Sequence, residues 1–247
     1  MAEIVSILNL KGGVGKTTTT INLGKALSLC GKKVLVIDND PQANLTHGVG
    51  VDSPETTIYH TYKFKEGLAV YEVDKNFSVV PSQLSLASIE NEVDSSIYRY
   101  NILKDVLTPV SDKFDYILID CPPSLGVYTI NAVTASTKYI ITTQTASYSI
   151  DGLFEAIKLI EGEIKKGLNK DIELMGVLIT QYFTNRIASD VALEKLENKF
   201  EGKIFKTKIR HTTKFREAEL SGEDIFSYDK QCYGAVDYMG LAKEISE

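Results

Sequence analysis

The chain has 247 residues, of which 43% are hydrophobic and 24% are charged, and its formal net charge is −6. This composition is typical of a soluble globular protein and excludes a disordered, collagen-like or disulfide-built chain. No stretch reaches the roughly 18 consecutive apolar residues of a membrane span, and the N-terminus lacks a signal-peptide pattern. Three cysteines without a CxxC pair favour a reducing cytoplasm. Taken at face value, the net charge disfavours nucleic acid as a partner.

Short apolar runs alternate with helical patterns along the chain. The runs that predict strands are 4–8, 34–37, 77–80, 116–119, 139–141 and 175–179, and helices are predicted at 16–30, 151–167, 188–200 and 234–246. Near-continuous apolar strands are typical of a parallel sheet that is covered on both faces. We therefore expect one α/β domain over residues 1–247, with a doubly wound, mostly parallel sheet of about seven or eight strands and helices on both faces. The stretch from about 52 to 75 is polar, and we expect it to be irregular.

The strongest motif lies between the first predicted strand and the first predicted helix. It reads Lys11-Gly12-Gly13-Val14-Gly15-Lys16-Thr17-Thr18. Glycines let the backbone curl so that its N–H groups point at phosphate oxygens, and the helix N-terminus favours anions. Lys16 can reach the β- and γ-phosphates, and the Thr17 hydroxyl can ligate Mg²⁺. A glycine-rich strand-to-helix turn is the alternative, which the Gly-Lys-Thr ending in this context strongly disfavours.

This loop departs from the standard phosphate-loop motif at its start. Leu10 stands where the standard motif has its first glycine, and Lys11 follows it. Lys11 is either a solvated surface charge or a group that neutralises phosphate, on its own subunit or on a facing one. The spacing alone does not choose between these alternatives.

Three acidic residues follow predicted strands. Asp120 ends the run 116–119, and Asp38 and Asp40 follow the run 34–37. The carboxyl ends of parallel strands form the edge where ligands bind, so these carboxylates are candidates for holding the Mg²⁺ shell and orienting the attacking water. The alternative for Asp38 and Asp40 is turn formation before Pro41.

Together these segments resemble the ParA/Soj-type partition ATPases, a family of the ParA/MinD superfamily with the deviant Walker signature KGGxGK[ST]. The matching segments are 11–18, 34–44, 80–87, 115–126, Gln144 with Gly152-Leu153, and 228–245. The resemblance implies a P-loop NTPase fold and the short form without an N-terminal helix-turn-helix.

The resemblance also implies roles for individual residues. Residues 11–18 would bind ATP, and Lys11 would cross the interface of an ATP-sandwiched homodimer to the partner's nucleotide. Lys11, Lys16 and Asp40 would be catalytic, with Asp40 activating water. Thr17, Asp38 and Asp120 would hold or support Mg²⁺.

A basic window interrupts the acidic chain. Residues 199–216 hold seven basic residues and one acidic residue, a net charge of +6, so the other 229 residues carry −12. A solvated basic face is the common explanation, and an attractive field for DNA phosphates is the alternative. The resemblance implies nonspecific binding of double-stranded DNA at Lys214, which aligns directly, and at Arg186, which is slightly offset. The plausible helpers are Lys206, Lys208, Arg210 and Arg216.

The function that the resemblance implies is a Mg-ATP-dependent, dimerising switch. It would bind DNA on the nucleoid and segregate plasmid or chromosomal DNA with a ParB-like centromere-binding adaptor, which would stimulate its slow ATP hydrolysis. The alternatives are MinD-like membrane cycling and the positioning of a carboxysome or chemoreceptor cluster. The predicted last helix has Lys243 as its one basic residue, so we expect no membrane partner. The loop 209–212 departs from the family's Ile-Pro-Arg-Asn, which leaves the adenine contacts open.

Overall fold

A computed structural model describes residues 1–92, 97–145, 148–184, 193–194 and 196–246. Within these residues, seven strands form one sheet in the spatial order β3-β4-β2-β5-β1-β6-β7. The strands are Glu3–Leu8 (β1), Val34–Asp38 (β2), Tyr71–Asp74 (β3), Phe77–Val80 (β4), Tyr116–Asp120 (β5), Lys138–Thr143 (β6) and Glu173–Ile179 (β7). Only the β3–β4 pair is antiparallel among these described strands. The prediction of a doubly wound, mostly parallel sheet is confirmed.

Helices connect the strands in chain order. They are Lys16–Leu29 (α1), Asn44–Gly48 (α2), Ile58–Phe64 (α3), Leu86–Glu92 (α4), Ile102–Leu107 (α5), Val127–Ala135 (α6), Tyr148–Leu159 (α7), Lys165–Gly167 (α8), Lys214–Leu220 (α9), Ile225–Asp229 (α10) and Tyr233–Ser246 (α11). A π-helical turn, Ile160–Ile164, joins α7 to α8. Within the helix predicted at 188–200, residues 193–194 and 196–199 are helical. Residues 188–192 and 195 lie outside the described residues. None of the helices in the described part of the chain is long and apolar enough to cross a bilayer.

The two faces of the sheet bury separate hydrophobic clusters. In β2, Leu35 and Ile37 belong to one cluster and Val34 and Val36 to the other, because successive side chains of a strand point to opposite faces. The first cluster includes residues of α3 to α7, and the second includes residues of α1 and α11. Burial on both faces explains why the strands lack polar alternation.

The expectation of an irregular stretch at 52–75 is wrong. This stretch contains α3 and β3. Thr57 caps α3 through its side chain, which accepts a hydrogen bond from the backbone N–H of Tyr59 (3.3 Å), and the His60 ring accepts one from the N–H of Thr57 (3.1 Å). A capping box usually has Glu or Gln where His60 stands, so this helix start was hidden in the sequence. β3 is a largely exposed edge strand, so it lacks an apolar run.

The strand order sets the position of the ligand crevice. From β1 the chain proceeds to β2, on the β5 side of β1, whereas from β5 it proceeds to β6, on the opposite side of β1. The strand order therefore reverses at β1. Parallel sheets bind ligands outside the carboxyl ends of the strands at such a reversal. In β5, Asp120 pairs in register with Ile7 of β1 and with Asp38 of β2. The predicted acidic residues and the glycine-rich loop are thereby brought to the same edge.

Candidate functional site

The loop between β1 and α1 curls at two of its glycines. Gly13 and Gly15 have φ angles of +72° and +78°, in the left-handed region that favours glycine. A Cβ atom at Gly15 would also lie 3.4 Å from the Thr180 side chain. Lys16 begins α1 immediately after Gly15, so the free backbone N–H groups of the helix end adjoin the loop. This arrangement fits a phosphate group.

Polar residues that follow β1, β6 and β7 form hydrogen bonds that hold the loop in place. Asn9 accepts a hydrogen bond from the Lys11 backbone N–H (2.9 Å) and donates one to the carbonyl of Thr142 (2.7 Å). The side-chain amides of Gln144 and Gln181 each donate a hydrogen bond to the Gly13 carbonyl (2.9 Å). The Thr180 hydroxyl donates one to the carbonyl of Val14 (2.9 Å). The sequence reasoning missed Asn9, Thr180 and Gln181. Their position directly after β1 and β7 is the signal that could have found them.

Lys16 is buried within the loop. Its Nζ donates a hydrogen bond to the Lys11 carbonyl (3.1 Å), and its side chain is almost inaccessible to solvent. Burial lowers the pKa of Lys16, and the nearby Asp120 carboxylate opposes that effect. A buried ammonium whose one hydrogen-bond acceptor in the described part of the chain is a carbonyl is well placed to take phosphate oxygens as additional partners. Lys11 is partly exposed at the start of the loop.

Thr17 and Asp120 are in direct contact. The Thr17 hydroxyl donates to Asp120 Oδ2 (2.6 Å), and the Thr20 hydroxyl lies 3.4 Å from Asp120 Oδ1. Asp120 is fully buried, and burial raises its pKa well above the usual value, with a further contribution from the neighbouring Asp38. A divalent cation at this place would favour the ionised carboxylate. The predicted pairing of a hydroxyl with a strand-terminal acid is therefore present.

Asp38, at the end of the neighbouring strand β2, and Asp40, in the turn that follows, lie close to Asp120. Asp38 Oδ2 accepts hydrogen bonds from the Thr46 N–H (2.8 Å) and hydroxyl (2.6 Å), and its Oδ1 accepts one from the Asp40 N–H (3.3 Å). Burial raises the pKa of Asp38 to about 6, although the Thr46 bonds act in the opposite direction. Asp40 Oδ1 accepts from the Gln42 N–H (2.9 Å). Both acids therefore also perform the turn chemistry that the sequence left as an alternative.

The acidic cluster does not form a metal site from protein groups alone. Across the described ranges, no three or more His, Cys, Asp and Glu side chains are arranged to hold a metal ion. Mg²⁺ usually takes one or two protein ligands and completes its shell with substrate phosphates and water. Thr17 with Asp120 fits that pattern, since a hydroxyl and a buried acid adjoin a phosphate-binding loop.

A cavity of about 520 Å³ opens beside the loop, against Gly15 and Thr18. It is lined on the far side by the loop 209–212 and by α9, including Phe215 and Arg216. Its volume is typical of small-molecule sites. The loop 209–212, which departs from the family's sequence, thus borders this cavity.

The basic window is partly neutralised by Glu217, which directly follows it in α9, and by acids of α11. Arg210 forms a two-pronged ion pair with Asp237 of α11 (Nη2–Oδ1 2.6 Å), which raises the pKa of Arg210. Lys214 pairs with Glu217 (3.0 Å), and this bond raises the pKa of Lys214. Glu244 accepts from the backbone N–H of Lys206 (2.7 Å).

The other predicted DNA-binding residues are placed as follows. Lys208 lies with its Nζ 5.4 Å from the Tyr182 ring centre, and Arg216 lines the cavity beside the phosphate loop. Arg186 lies outside the described residues. Of the described basic residues, Lys206 and Arg210 contact α11, and Lys214 and Arg216 lie in α9.

Comparison with known proteins identifies relatives along the whole chain. A family model described as an AAA domain matches residues 2–174. The chain is 38% identical to the sporulation initiation inhibitor protein Soj of Bacillus subtilis, over 100% of this chain and 99% of that protein. It is 34% identical to the chromosome partitioning protein ParA of Caulobacter vibrioides, over 98% of this chain and 93% of that protein.

Solved structures are similar over the same length. The apo McdA structure from Cyanothece has a TM-score of 0.89 at 26% identity and covers 100% of both chains. The septum site-determining protein MinD from Pyrococcus horikoshii, solved with Mg-ADP, has a TM-score of 0.83 at 25% identity, over 100% of this chain and 97% of that one. The same fold thus holds a magnesium nucleotide in a relative.

Proposed function

The chain belongs to the family of ParA/Soj-type partition ATPases, and from this premise we propose that it is a Mg-ATP-dependent switch in DNA segregation. ATP binding would close a homodimer that binds DNA nonspecifically, and hydrolysis would release the DNA. The observation that carries the proposal is the meeting of Lys16, Thr17, Asp120 and Asp40 at the carboxyl edge of the sheet.

The residues of the loop would divide the work of binding. Backbone N–H groups of residues 12–16 and the Lys16 ammonium would hold the β- and γ-phosphates, and Thr17 with Asp120 would hold Mg²⁺. The bound metal would neutralise charge on the phosphate oxygens. The cavity beside Gly15 and Thr18 would take the nucleoside.

Asp40 is the residue that we propose orients the attacking water. It retains a small exposed fraction, 8%, whereas Asp38 has none, so Asp40 is the acid that water can reach. Its Oδ1 is held by the Gln42 N–H, which leaves Oδ2 to contact water. Asp38 would not contact the water but would fix the turn that carries Asp40, by accepting a hydrogen bond from the Asp40 N–H.

Lys11 would contribute to the second nucleotide of the dimer. Its backbone is held by Asn9 at the start of the loop, while its side chain is partly exposed. A lysine that reaches across a two-fold interface would place positive charge against phosphate and make dimerisation depend on ATP. Hydrolysis would be slow and would be stimulated by a ParB-like, centromere-binding adaptor.

The DNA surface would be the region of the basic window. Lys206, Lys208 and Lys214 are the residues that we propose contact phosphate, with Arg216 and Arg210 beside them and Arg186 as a further candidate. Phosphate contacts of this kind carry no sequence information, so the dimer would coat DNA on the nucleoid, in the cytoplasm. Such binding would serve plasmid or chromosome segregation.

A single substitution tests the switch. Asp40→Ala should retain ATP-dependent dimers and DNA binding but should lose at least about a hundredfold in hydrolysis rate, since the group that positions water is removed. Phosphate release, sedimentation with ATP and a DNA mobility assay measure the three properties. Asp112→Ala, at an exposed acid, is the matched control. Loss of ATP-dependent dimers in Asp40→Ala would refute the role of Asp40.

A second substitution tests the DNA surface. Lys214→Ala should weaken ATP-dependent DNA binding by about tenfold in a dimer, because each subunit loses one phosphate contact. The control is Lys170→Ala, at an exposed lysine just before the amino end of β7. This variant should bind DNA like the parent. Unchanged binding in Lys214→Ala would remove this residue from the DNA surface.

Positioning of another cargo, or MinD-like membrane cycling, is the second candidate, because McdA and MinD structures share the fold. For membrane cycling through α11, an apolar face of this helix would have to be free. Tyr238, Leu241 and Ala242 of α11 are instead buried in the cluster that contains α1. Cosedimentation with anionic liposomes in the presence of ATP separates membrane cycling from partition, since a partition ATPase should remain in the supernatant.

A further inference from the structure

A closed hydrogen-bond network lies behind the candidate water-positioning residue. It joins the side chains of Asp38, Thr46 and Ser82 to the backbone of Asp40, and all four residues are buried. Asp38 ends β2, Asp40 lies in the turn that follows, and Thr46 belongs to α2. Ser82 comes two residues after the end of the neighbouring strand β4. The network thus ties α2 and the end of β4 to the two acids.

The direction of the Thr46 hydroxyl is fixed by its partners. The backbone N–H of Ser82 can only donate, and it donates to Thr46 Oγ1 at 2.8 Å. The single Thr46 hydroxyl hydrogen is therefore directed to Asp38 Oδ2, at 2.6 Å. The Thr46 N–H donates to the same Asp38 oxygen at 2.8 Å. Thr46 thus determines which way the buried Asp38 carboxylate faces.

Ser82 holds the turn from the other side. Its hydroxyl donates to the backbone carbonyl of Asp40 at 2.8 Å. The same carbonyl accepts from the N–H of Ala43 (3.0 Å), and Asp38 Oδ1 accepts from the N–H of Asp40 (3.3 Å). Both peptide groups that flank the Asp40 Cα are therefore held by the network. The Asp40 backbone is thereby fixed relative to Asp38 and Ser82, and the Gln42 N–H holds the carboxylate itself.

We propose that Thr46 and Ser82 are positioning residues for ATP hydrolysis, which act through Asp38 and the backbone of Asp40 to set the Asp40 carboxylate for water. This inference rests on the proposed function. Neither side chain would touch nucleotide or water, so both residues would influence the hydrolysis step and leave ATP affinity unchanged. A displacement of about 1 Å in a positioned group can cost about a hundredfold in rate.

Three variants separate the polar contacts from the shape of the side chain. Thr46→Val keeps the shape but removes both the acceptor for Ser82 and the donor to Asp38, and it should slow single-turnover hydrolysis by about tenfold to a hundredfold. Thr46→Ser keeps the hydroxyl and should stay within about threefold of the parent. Ser82→Ala removes one hydroxyl and should slow hydrolysis by about threefold to tenfold.

The readouts are the single-turnover rate of phosphate release, the Kd for a fluorescent ATP analogue and the Tm. The matched control is Ser136→Ala, which removes a buried hydroxyl bonded to Ala132 and Ser6 before the amino end of β6, far from the site. It should hydrolyse ATP like the parent even if its Tm falls. Slow hydrolysis with unchanged Kd in Thr46→Val and Ser82→Ala, and restored rate in Thr46→Ser, would support the inference.

Other outcomes overturn it. A parent-like rate in Thr46→Val, an equally slow Thr46→Ser, or a loss of ATP affinity that matches the loss of rate would each contradict a positioning role. If Thr46→Val does not fold, a parent-like rate in Ser82→Ala has the same force. Asp40→Ala, measured alongside, distinguishes this failure from that of the proposed function: if it hydrolyses ATP like the parent, the role of Asp40 itself is lost.

Discussion

Asp38 is a residue whose burial has a measurable consequence for folding. It has no exposed surface, and burial raises its pKa to about 6, above the value near 4 of an unfolded chain. Between these two values the folded protein holds a proton that the unfolded chain releases, so a rise in pH favours unfolding. The penalty reaches about 3 kcal/mol above pH 6. Asp120, whose pKa is also raised, acts in the same direction.

We therefore expect the free energy of unfolding, without nucleotide and with EDTA, to fall by at least about 1 kcal/mol between pH 5 and pH 7.5. The side chain introduced by Asp38→Asn cannot ionise, so the free energy of unfolding of this variant should fall less between the two pH values than that of the parent. Urea denaturation at the two pH values measures it, with Asp112→Asn at an exposed acid as the control. An unchanged pH dependence in Asp38→Asn would show that Asp38 does not carry the effect.

At the scale of elements, α1 does more than present its N-terminus to the loop. Lys25, in the middle of α1, is buried, and it forms ion pairs with Asp74 of β3 and with Asp224 (3.6 Å), which caps α10. The ion pair with Lys25 holds the pKa of the exposed Asp74 carboxyl below its usual value. One lysine thus links the central helix to the edge strand and to the segment before α11.

Lys25→Met should destabilise the protein by about 2 kcal/mol, because the Asp224 side chain, which is only 10% exposed, would lose its cation. Denaturant unfolding measures the change. Lys158→Met, at an exposed position of α7, is the matched control and should lie within about 0.5 kcal/mol of the parent. A Lys25→Met variant as stable as this control would show that the ion pairs contribute nothing.

At the scale of the whole molecule, charge is distributed unevenly. The window 199–216 carries +6 within a chain of −6, and two acids outside the window reduce its free charge further. Asp237 pairs with Arg210 and Glu217 pairs with Lys214. DNA binding by such a surface would depend on few phosphate contacts from each subunit and would be opposed by the acidic remainder of the chain.

If the ATP-bound dimer makes about five phosphate contacts, its DNA affinity should fall by about 10² to 10³-fold between 50 and 200 mM salt. Fluorescence anisotropy with a DNA duplex in ATP measures the slope, and two unrelated duplex sequences should give the same result. A flat salt dependence, or a strong preference for one sequence, would contradict binding through phosphates alone.

Local signals in the amino-acid sequence were enough to predict several parts of the molecule. The loop 11–18 has its chemistry in consecutive residues, and apolar runs mark six of the seven described strands because a buried parallel strand needs apolar side chains on both faces. Asp38, Asp40 and Asp120 were found because the residue at the end of a parallel strand lies at the ligand edge. The single-domain boundary, 1–247, and the roles of individual site residues stay predictions.

Contacts between residues far apart in the chain could not be predicted in this way and were revealed by the packing of strands and helices. Thr46 and Ser82 are 36 positions apart, and Arg210 and Asp237 are 27 apart. A hydrogen bond or ion pair between such residues leaves no periodic pattern in the chain, because it depends on how the strands and helices pack. The exposed edge strand β3 was hidden for a related reason: it has one neighbouring strand and needs no continuous apolar run. Local chemistry therefore fixed the loop and its acids, and packing fixed their supports.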